Sequence, residues 1–317
     1  NRYEIRSLIG KGGMGQVFLA VDRQNGGEVA LKTLHPKYTS NNHAVARFTR
    51  EVRLARQLNH PGIVKILDAR HWNDTLFYTM EYLNGKSLRE WIRQKRRLDL
   101  GSTVRILCLV ADALDHAHRI TIHRDLSPEN IMVLPDGSVR ILDFGLAKLD
   151  DQFKGLTTIG INLGKVHYMS PEQEQDASVV DHRADLYSLG VMFYEMLAGR
   201  SPRMMTDAVK QGQEAFLDVL AGRAAPPIMK ITDIRSDLPP EANDFVEKAL
   251  AKNPDDRFSS AAEFRAELLR LYKIFREREA AAAAAVAAED QARAAALANP
   301  GFFVRVRAFL ARLLRRT

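Results

Sequence analysis

Four short runs carry residues whose types and spacing suit phosphate chemistry. The first is Gly10-Lys11-Gly12-Gly13-Met14-Gly15-Gln16-Val17, after Ile9. Glycines so placed let a strand-turn-strand approach phosphates and offer them backbone N–H groups. A second strand pattern follows, not a helix, which argues against a dinucleotide-binding fingerprint. The second run is Val29-Ala30-Leu31-Lys32. A lysine there can reach the α- and β-phosphates of a nucleotide, although taken singly it reads as an ordinary strand-end lysine. Glu51 follows on a helical pattern, close to its apolar stripe. A carboxylate in such a place needs a partner. Lys32 is the natural candidate, and a solvated helix-face glutamate is the plainer reading. The third run is Ile122-His123-Arg124-Asp125-Leu126-Ser127-Pro128-Glu129-Asn130. Asp125 can accept a hydroxyl proton and Asn130 can hold a metal. The fourth is Asp143-Phe144-Gly145, whose carboxylate is a hard oxygen ligand suited to Mg²⁺ bridging phosphates. Any one of these could arise by chance; their joint order and spacing could hardly do so.

These residues need elements to aim them. Tyr3 to Leu34 reads as strands, with Asn25-Gly26-Gly27 as a hairpin signal. Ala44, Phe48, Val52, Ala55 and Leu58 then recur at helical spacing, and His60-Pro61-Gly62 ends that helix. Ile63 to Ala69 and Thr75 to Tyr82 read as further strands. Beyond Leu88 the patterns are helical, most clearly over Arg89 to Arg97, Ser102 to Arg119, Ala184 to Ala198 and Ala242 to Ala251. A small β-rich lobe before a larger helical one implies an α+β, bilobal molecule with a ligand cleft between the lobes.

The chain has 317 residues, 46% of them hydrophobic, enough for a sizeable core rather than a disordered coil. Its one cysteine, Cys108, excludes an internal disulfide, favours a reducing compartment and is expected to be a buried core thiol. Nothing reaches the ~18 uncharged apolar residues of a membrane span. The chain starts at Asn1 without a charged-then-apolar leader and reads as part of something longer. The net charge is +7; eight arginines against four acids from Arg276 onward leave +4 there and +3 elsewhere. Basicity is thus mainly a tail property and does not imply a nucleic-acid partner.

Taken together, the four runs resemble the protein kinase family over about Tyr3 to Leu271. Other segments extend the likeness. Ser170-Pro171-Glu172 resembles the motif that ends the activation segment. Asp185 resembles the aspartate that anchors the catalytic loop, and Arg257 the arginine that pairs with the Glu172 position. Met80-Glu81-Tyr82-Leu83 resembles the hinge that holds adenine through backbone groups, with Met80 as gatekeeper. Arg47-Phe48 before Glu51, and Tyr168-Met169-Ser170-Pro171-Glu172-Gln173, look like bacterial receptor-type kinases of the Hanks class.

The resemblance implies the bilobal kinase fold, with an N-lobe and hinge over 1–83, a C-lobe over 84–272, and an alanine-rich helix with a basic tail over 273–317. It implies ATP and Mg²⁺ as cofactors and transfer of the γ-phosphoryl group to serine or threonine hydroxyls of protein substrates. Lys32 would orient phosphates and Glu51 orient Lys32; Asn130 and Asp143 would hold Mg²⁺; Asp125 would receive the acceptor hydroxyl. Ile9 and the glycine-rich run would cover the nucleotide, and Val17, Ala30 and Met132 would sandwich the adenine. Arg124 would pair with a phosphate on Thr157 or Thr158, added by autophosphorylation within a kinase-domain dimer.

Two positions depart from the family pattern. Ser127 stands where lysine is usual, and Lys165 where threonine is usual. The two types have traded places, which suggests that Lys165 does the missing lysine's catalytic work. The departures also keep alive a rival reading, a pseudokinase acting as a nucleotide-binding scaffold. Beyond Asn299-Pro300-Gly301, Phe302, Phe303, Val306, Phe309, Leu310, Leu313 and Leu314 fall on one helical face and five arginines on the other. Such a helix suits an anionic membrane surface, or equally a packed partner helix. The expected location is the cytoplasm or the inner face of the membrane. A membrane adaptor with an incidental kinase fold is a third reading.

Overall fold

The computed structural model describes residues 2–12, 15–35, 42–72, 75–144, 167–175, 180–202 and 228–298, with backbone alone at 12, 42–44, 47, 51 and 296–298. Gly13, Met14, Gly145, Thr157, Thr158, Lys165 and the amphipathic tail lie outside them, as does the side chain of Glu51. Residues 1–269 form one compact unit and 270–317 a second.

Five antiparallel strands build the first sheet: β1 (Tyr3–Gly12), β2 (Gly15–Asp22), β3 (Gly27–Leu34), β4 (Ile66–Trp72) and β5 (Thr75–Glu81), in the order β1-β2-β3-β5-β4. The β2–β3 hairpin closes as its Asn25-Gly26-Gly27 signal implies, with Gly26 left-handed at φ 72°. Gly15 is required for another reason. A Cβ there would lie 1.7 Å from the Thr33 carbonyl oxygen, so only glycine lets β2 start against β3. Ala20, Val29 and Leu31 form a buried cluster with Tyr3, Phe18 and Phe77 packed on it. The first helix, α1 (Asn42–Ala55), buries Phe48, Val52 and Ala55.

A three-stranded sheet follows, β6 (Lys86–Ser87), β7 (Ile131–Val133) and β8 (Val139–Ile141), among the helices α2 (Leu88–Lys95) and α3 (Leu100–Ala117). Caps set their starts. Ser87 and Glu90 make a reciprocal capping box on α2, and the Asp99 carboxylate accepts from Ser102 N–H on α3. The expected helices therefore begin one or two residues earlier than hydrophobic spacing alone implies. The strand expected from Ile63 starts at Ile66, because Ile63 bridges Ile141 instead.

Next come α4 (Pro171–Gln175), α5 (Arg183–Ala198), α6 (Ile231–Ile234), α7 (Glu241–Ala249) and α8 (Ala261–Ala298). Helix α5 is buried from Ala184 to Ala198 and is the axis of this region. A helix apolar on all sides belongs inside a core. Phe193 packs at a tilt against Phe245, which also meets Phe258 and Phe264. Cys108 departs from expectation: it is half-buried on α3, beside the exposed Leu109, and burial raises its thiol pKa. Among the described residues no helix is long and apolar enough to cross a membrane.

Candidate active site

Strand β3 delivers Lys32. Its register sets Lys32 opposite Val17 of β2 and Tyr78 of β5. The side chain is largely buried, and Nζ lies 2.6 Å from Asp143 Oδ1. The partner expected from sequence, Glu51, has its side chain outside the described residues; among those described, Lys32 pairs with Asp143. The adenine-lining candidates Val17 and Ala30 sit on β2 and β3, with Ala30 opposite Met80. Met132 lies on β7 and Met80 is buried at the end of β5. Glu81 donates its N–H to the Lys65 carbonyl and accepts from Lys65 N–H through its side chain. Leu83 follows, its carbonyl accepting from Gly85 N–H. Gly10, Lys11 and Gly12 end β1 paired across to Val17, Gln16 and Gly15 of β2, while Ile9 falls at a register irregularity between Leu8 and Gly10.

The loop bearing Asp125 is held from beneath. Asp185, 1% exposed at the start of α5, accepts His123 N–H at 2.9 Å and Arg124 N–H at 2.8 Å, and contacts His118 Nε2 at 2.9 Å. Burial pushes the Asp185 pKa up, but His118 and the backbone donors outweigh it and leave the carboxyl below its ordinary value. Buried His123 bonds the Leu142 carbonyl through Nε2 and stacks edge-on against Phe144 at 4.8 Å. One histidine thus ties the Asp125 loop to the Asp143 turn. Arg124 and Asp143 both have left-handed backbones, at φ 65° and 57°. Strain of this kind persists where surrounding structure over-determines it, and it gathers at functional sites.

Asn130 completes the loop. Its Nδ2 donates to the Asp125 carbonyl at 2.7 Å and to Asp125 Oδ2 at 3.2 Å. With Nδ2 so committed, its Oδ1 is the atom left for a cation. A carboxamide oxygen and the Asp143 carboxylate are hard donors of the kind Mg²⁺ takes alongside phosphate and water. Among the described residues no group of three or more metal-type side chains gathers. Two hard donors, the Asn130 oxygen and the Asp143 carboxylate, fit an ion whose other positions are filled by phosphate and water.

Sequence reasoning missed a second cluster. Arg89 on α2 reaches Glu129 Oε1 at 2.8 Å, Glu195 Oε1 at 2.7 Å and the Tyr168 hydroxyl, which itself donates to Glu195. Burial pushes the Glu129 pKa up, but Arg89 outweighs it and holds the carboxyl below its ordinary range; burial raises the Tyr168 hydroxyl. One guanidinium thereby joins α2, the Asp125 loop, the segment before Ser170 and α5. Below it, Arg257 pairs with Glu172, and Gln173 donates to the Arg124 carbonyl at 2.8 Å. No local spacing marks the Arg89 cluster; Arg89 and Glu195 are 106 residues apart.

A strand lobe delivering a lysine to a turn carboxylate, above a loop carrying an Asp–Asn pair, defines the phosphotransferase class of bilobal kinases. Comparison with known proteins agrees: the protein kinase domain family matches residues 3–269, and the chain belongs to it. It is 39% identical to the serine/threonine-protein kinase pkn3 of Myxococcus xanthus, over 88% of this chain and 52% of that one. It is 36% identical to the serine/threonine-protein kinase PknB of Mycolicibacterium smegmatis, over 86% and 43%. The chain thus spans about half the length of these relatives, or less. The crystal structure of the Mycobacterium tuberculosis PknI kinase domain superposes with a TM-score of 0.66 at 28% identity, covering 86% of this chain and 96% of that one. These relatives bear out the bacterial, Hanks-type resemblance and the kinase fold.

Proposed function

We propose that the chain transfers the γ-phosphoryl group of ATP to serine or threonine hydroxyls of proteins, with Asp125 as the base. The Lys32–Asp143 contact at 2.6 Å carries this reading, because it gathers a phosphate-orienting cation and a metal-type carboxylate at one point. Asp125 takes the proton of the acceptor hydroxyl while that oxygen bonds to the γ-phosphorus. The bond from the γ-phosphorus to its bridging oxygen breaks, and ADP leaves. Asn130 keeps Asp125 oriented through its two donated bonds. Magnesium held by Asp143 and the Asn130 oxygen would neutralise charge on the phosphates. Positioning and electrostatics do the rest. The wild-type chain should add phosphate mass to a general protein substrate only with ATP, and Asp125→Asn should not. Equal phosphate gain by Asp125→Asn would overturn the assignment; nucleotide binding with no transfer by the wild type would favour the scaffold reading.

Regulation enters through Arg124. Among the described residues its buried Nε has no hydrogen-bond partner, which suits an incoming phosphate. Thr157 and Thr158 are the acceptors we assign. Changing both to alanine should lower the rate several-fold and abolish the difference between phosphatase-treated and untreated enzyme. Full activity of the double alanine variant after phosphatase treatment would remove this role.

A further inference from the structure

Tyr78 belongs to none of the runs that carry the chemistry. It lies on β5 directly opposite Lys32 and is 1% exposed. Its hydroxyl donates to Asp143 Oδ1 at 2.9 Å, the same oxygen that Lys32 Nζ approaches at 2.6 Å. The ring rests near Phe48 of α1, at 5.9 Å between centroids. Tyr78 and Asp143 also line a small pocket whose other walls are the apolar Ala55, Ile63, Val64, Ile66 and Phe144.

We propose that Tyr78 is a positioning residue for the metal site, its hydroxyl fixing the rotation of the Asp143 carboxylate so that magnesium joins the bound nucleotide. The inference rests on the functional reading above. A buried tyrosine hydroxyl needs a partner, and an apolar surround strengthens the bond it makes. Rotating Asp143 away would orphan that hydroxyl, which biases the carboxylate inward. Asp143 also holds a left-handed backbone that needs outside support. Lys32 must turn toward phosphates when a nucleotide binds, so Tyr78 is the donor that stays. A carboxylate fixed in advance gives up less freedom on binding a cation.

Tyr78→Phe keeps the ring and removes only the donor. The experiment is calorimetric titration of a non-hydrolysable ATP analogue, with Mg²⁺ and with chelator, on wild type and variant. The ratio of the two affinities measures metal coupling without needing turnover. We expect Tyr78→Phe to lower that ratio about ten-fold, the size of one hydrogen bond to a charged group, with metal-free affinity within about two-fold of wild type. In an Asp143→Asn background the same change should have no further effect on the ratio. An unchanged ratio overturns the proposal. So does equal weakening in both arms, which general loosening would give, or a raised ratio, which would mean the hydroxyl competes with the metal. A wild-type chain that binds the analogue without any metal dependence would instead overturn the functional reading, and this inference with it.

Discussion

Arg257→Ala is expected to lower the unfolding free energy by about 3–5 kcal/mol, because it strands a half-buried carboxylate and three backbone carbonyls. The guanidinium is fully buried, and its two Nη atoms each meet a Glu172 oxygen at 2.7 Å. Nε donates to the Ala251 carbonyl at 2.7 Å, and the Nη atoms also reach the carbonyls of Lys252 and Arg183. The cation lies 4.9 Å from the centre of the Tyr187 ring. Chemical denaturation would measure the loss. Arg257→Met with Glu172→Leu should recover part of it, since two apolar groups replace the ion pair while the carbonyls remain short of donors. The effect has a pH signature. Burial pushes the Glu172 pKa up, but Arg257 outweighs this and holds it below 4.5. A depressed carboxylate contributes its stability in full above its unfolded pKa and loses it as pH falls through the folded one. The gap between wild type and Arg257→Ala should therefore be widest near neutrality and shrink below about pH 4.5. A gap independent of pH would mean that the carbonyl contacts, not the ion pair, carry the stability. Activity should fall too, because Glu172 and Gln173 fix the Ser170 segment, and Gln173 bonds the Arg124 carbonyl beside Asp125.

Lys165→Thr is expected to slow phosphoryl transfer by roughly 10²–10³, the range for losing one preorganised charge at a transition state. The expectation rests on residue types. Ser127 takes the place of a usual lysine two residues after Asp125, and Lys165 takes the place of a usual threonine. Ser127 is 1% exposed, with extended backbone at the head of the short turn Pro128–Asn130, and its hydroxyl helps hold the Glu129 carboxyl below its ordinary range. Adding Ser127→Lys to Lys165→Thr restores one cation and one hydroxyl in the usual order, so the double variant should regain much of the rate. Single-turnover phosphorylation by all four members of the cycle tests this. Full activity of Lys165→Thr, or a double variant as slow as the single one, would rule the exchange out.

How far the site could be read depended on where its contacts lie along the chain. Asp125 and Asn130 are five residues apart, and the bond between them is local. Gly15 was marked by the glycine-rich run, and the backbone approach to Thr33 gives its reason. The α3 and α5 helices were evident from apolar spacing, while their first residues depended on caps and neighbours. Arg257 with Glu172, 85 residues apart, came from family likeness and not from physics within the chain. Likeness also supplied Asp185, and the fold shows its work: two backbone N–H groups held from beneath.

By itself the sequence determined the lobes, the family and the order in which the chemical groups arrive. The tertiary structure alone decided which of them meet. Lys32 touches Asp143 because β3 faces the Asp143 turn, a contact the sequence did not point to, since it offered Glu51 as the partner. Tyr78 reads as one more apolar strand residue until the β3–β5 register sets it opposite Lys32 and burial obliges its hydroxyl to find Asp143, 65 residues away. Arg89 reads as a surface residue on a capped helix until folding surrounds it with Glu129, Tyr168 and Glu195. Periodicity reports which face of an element is buried. It cannot report which polar group from a distant segment arrives to satisfy a buried donor or charge, because that need is met only when the elements pack.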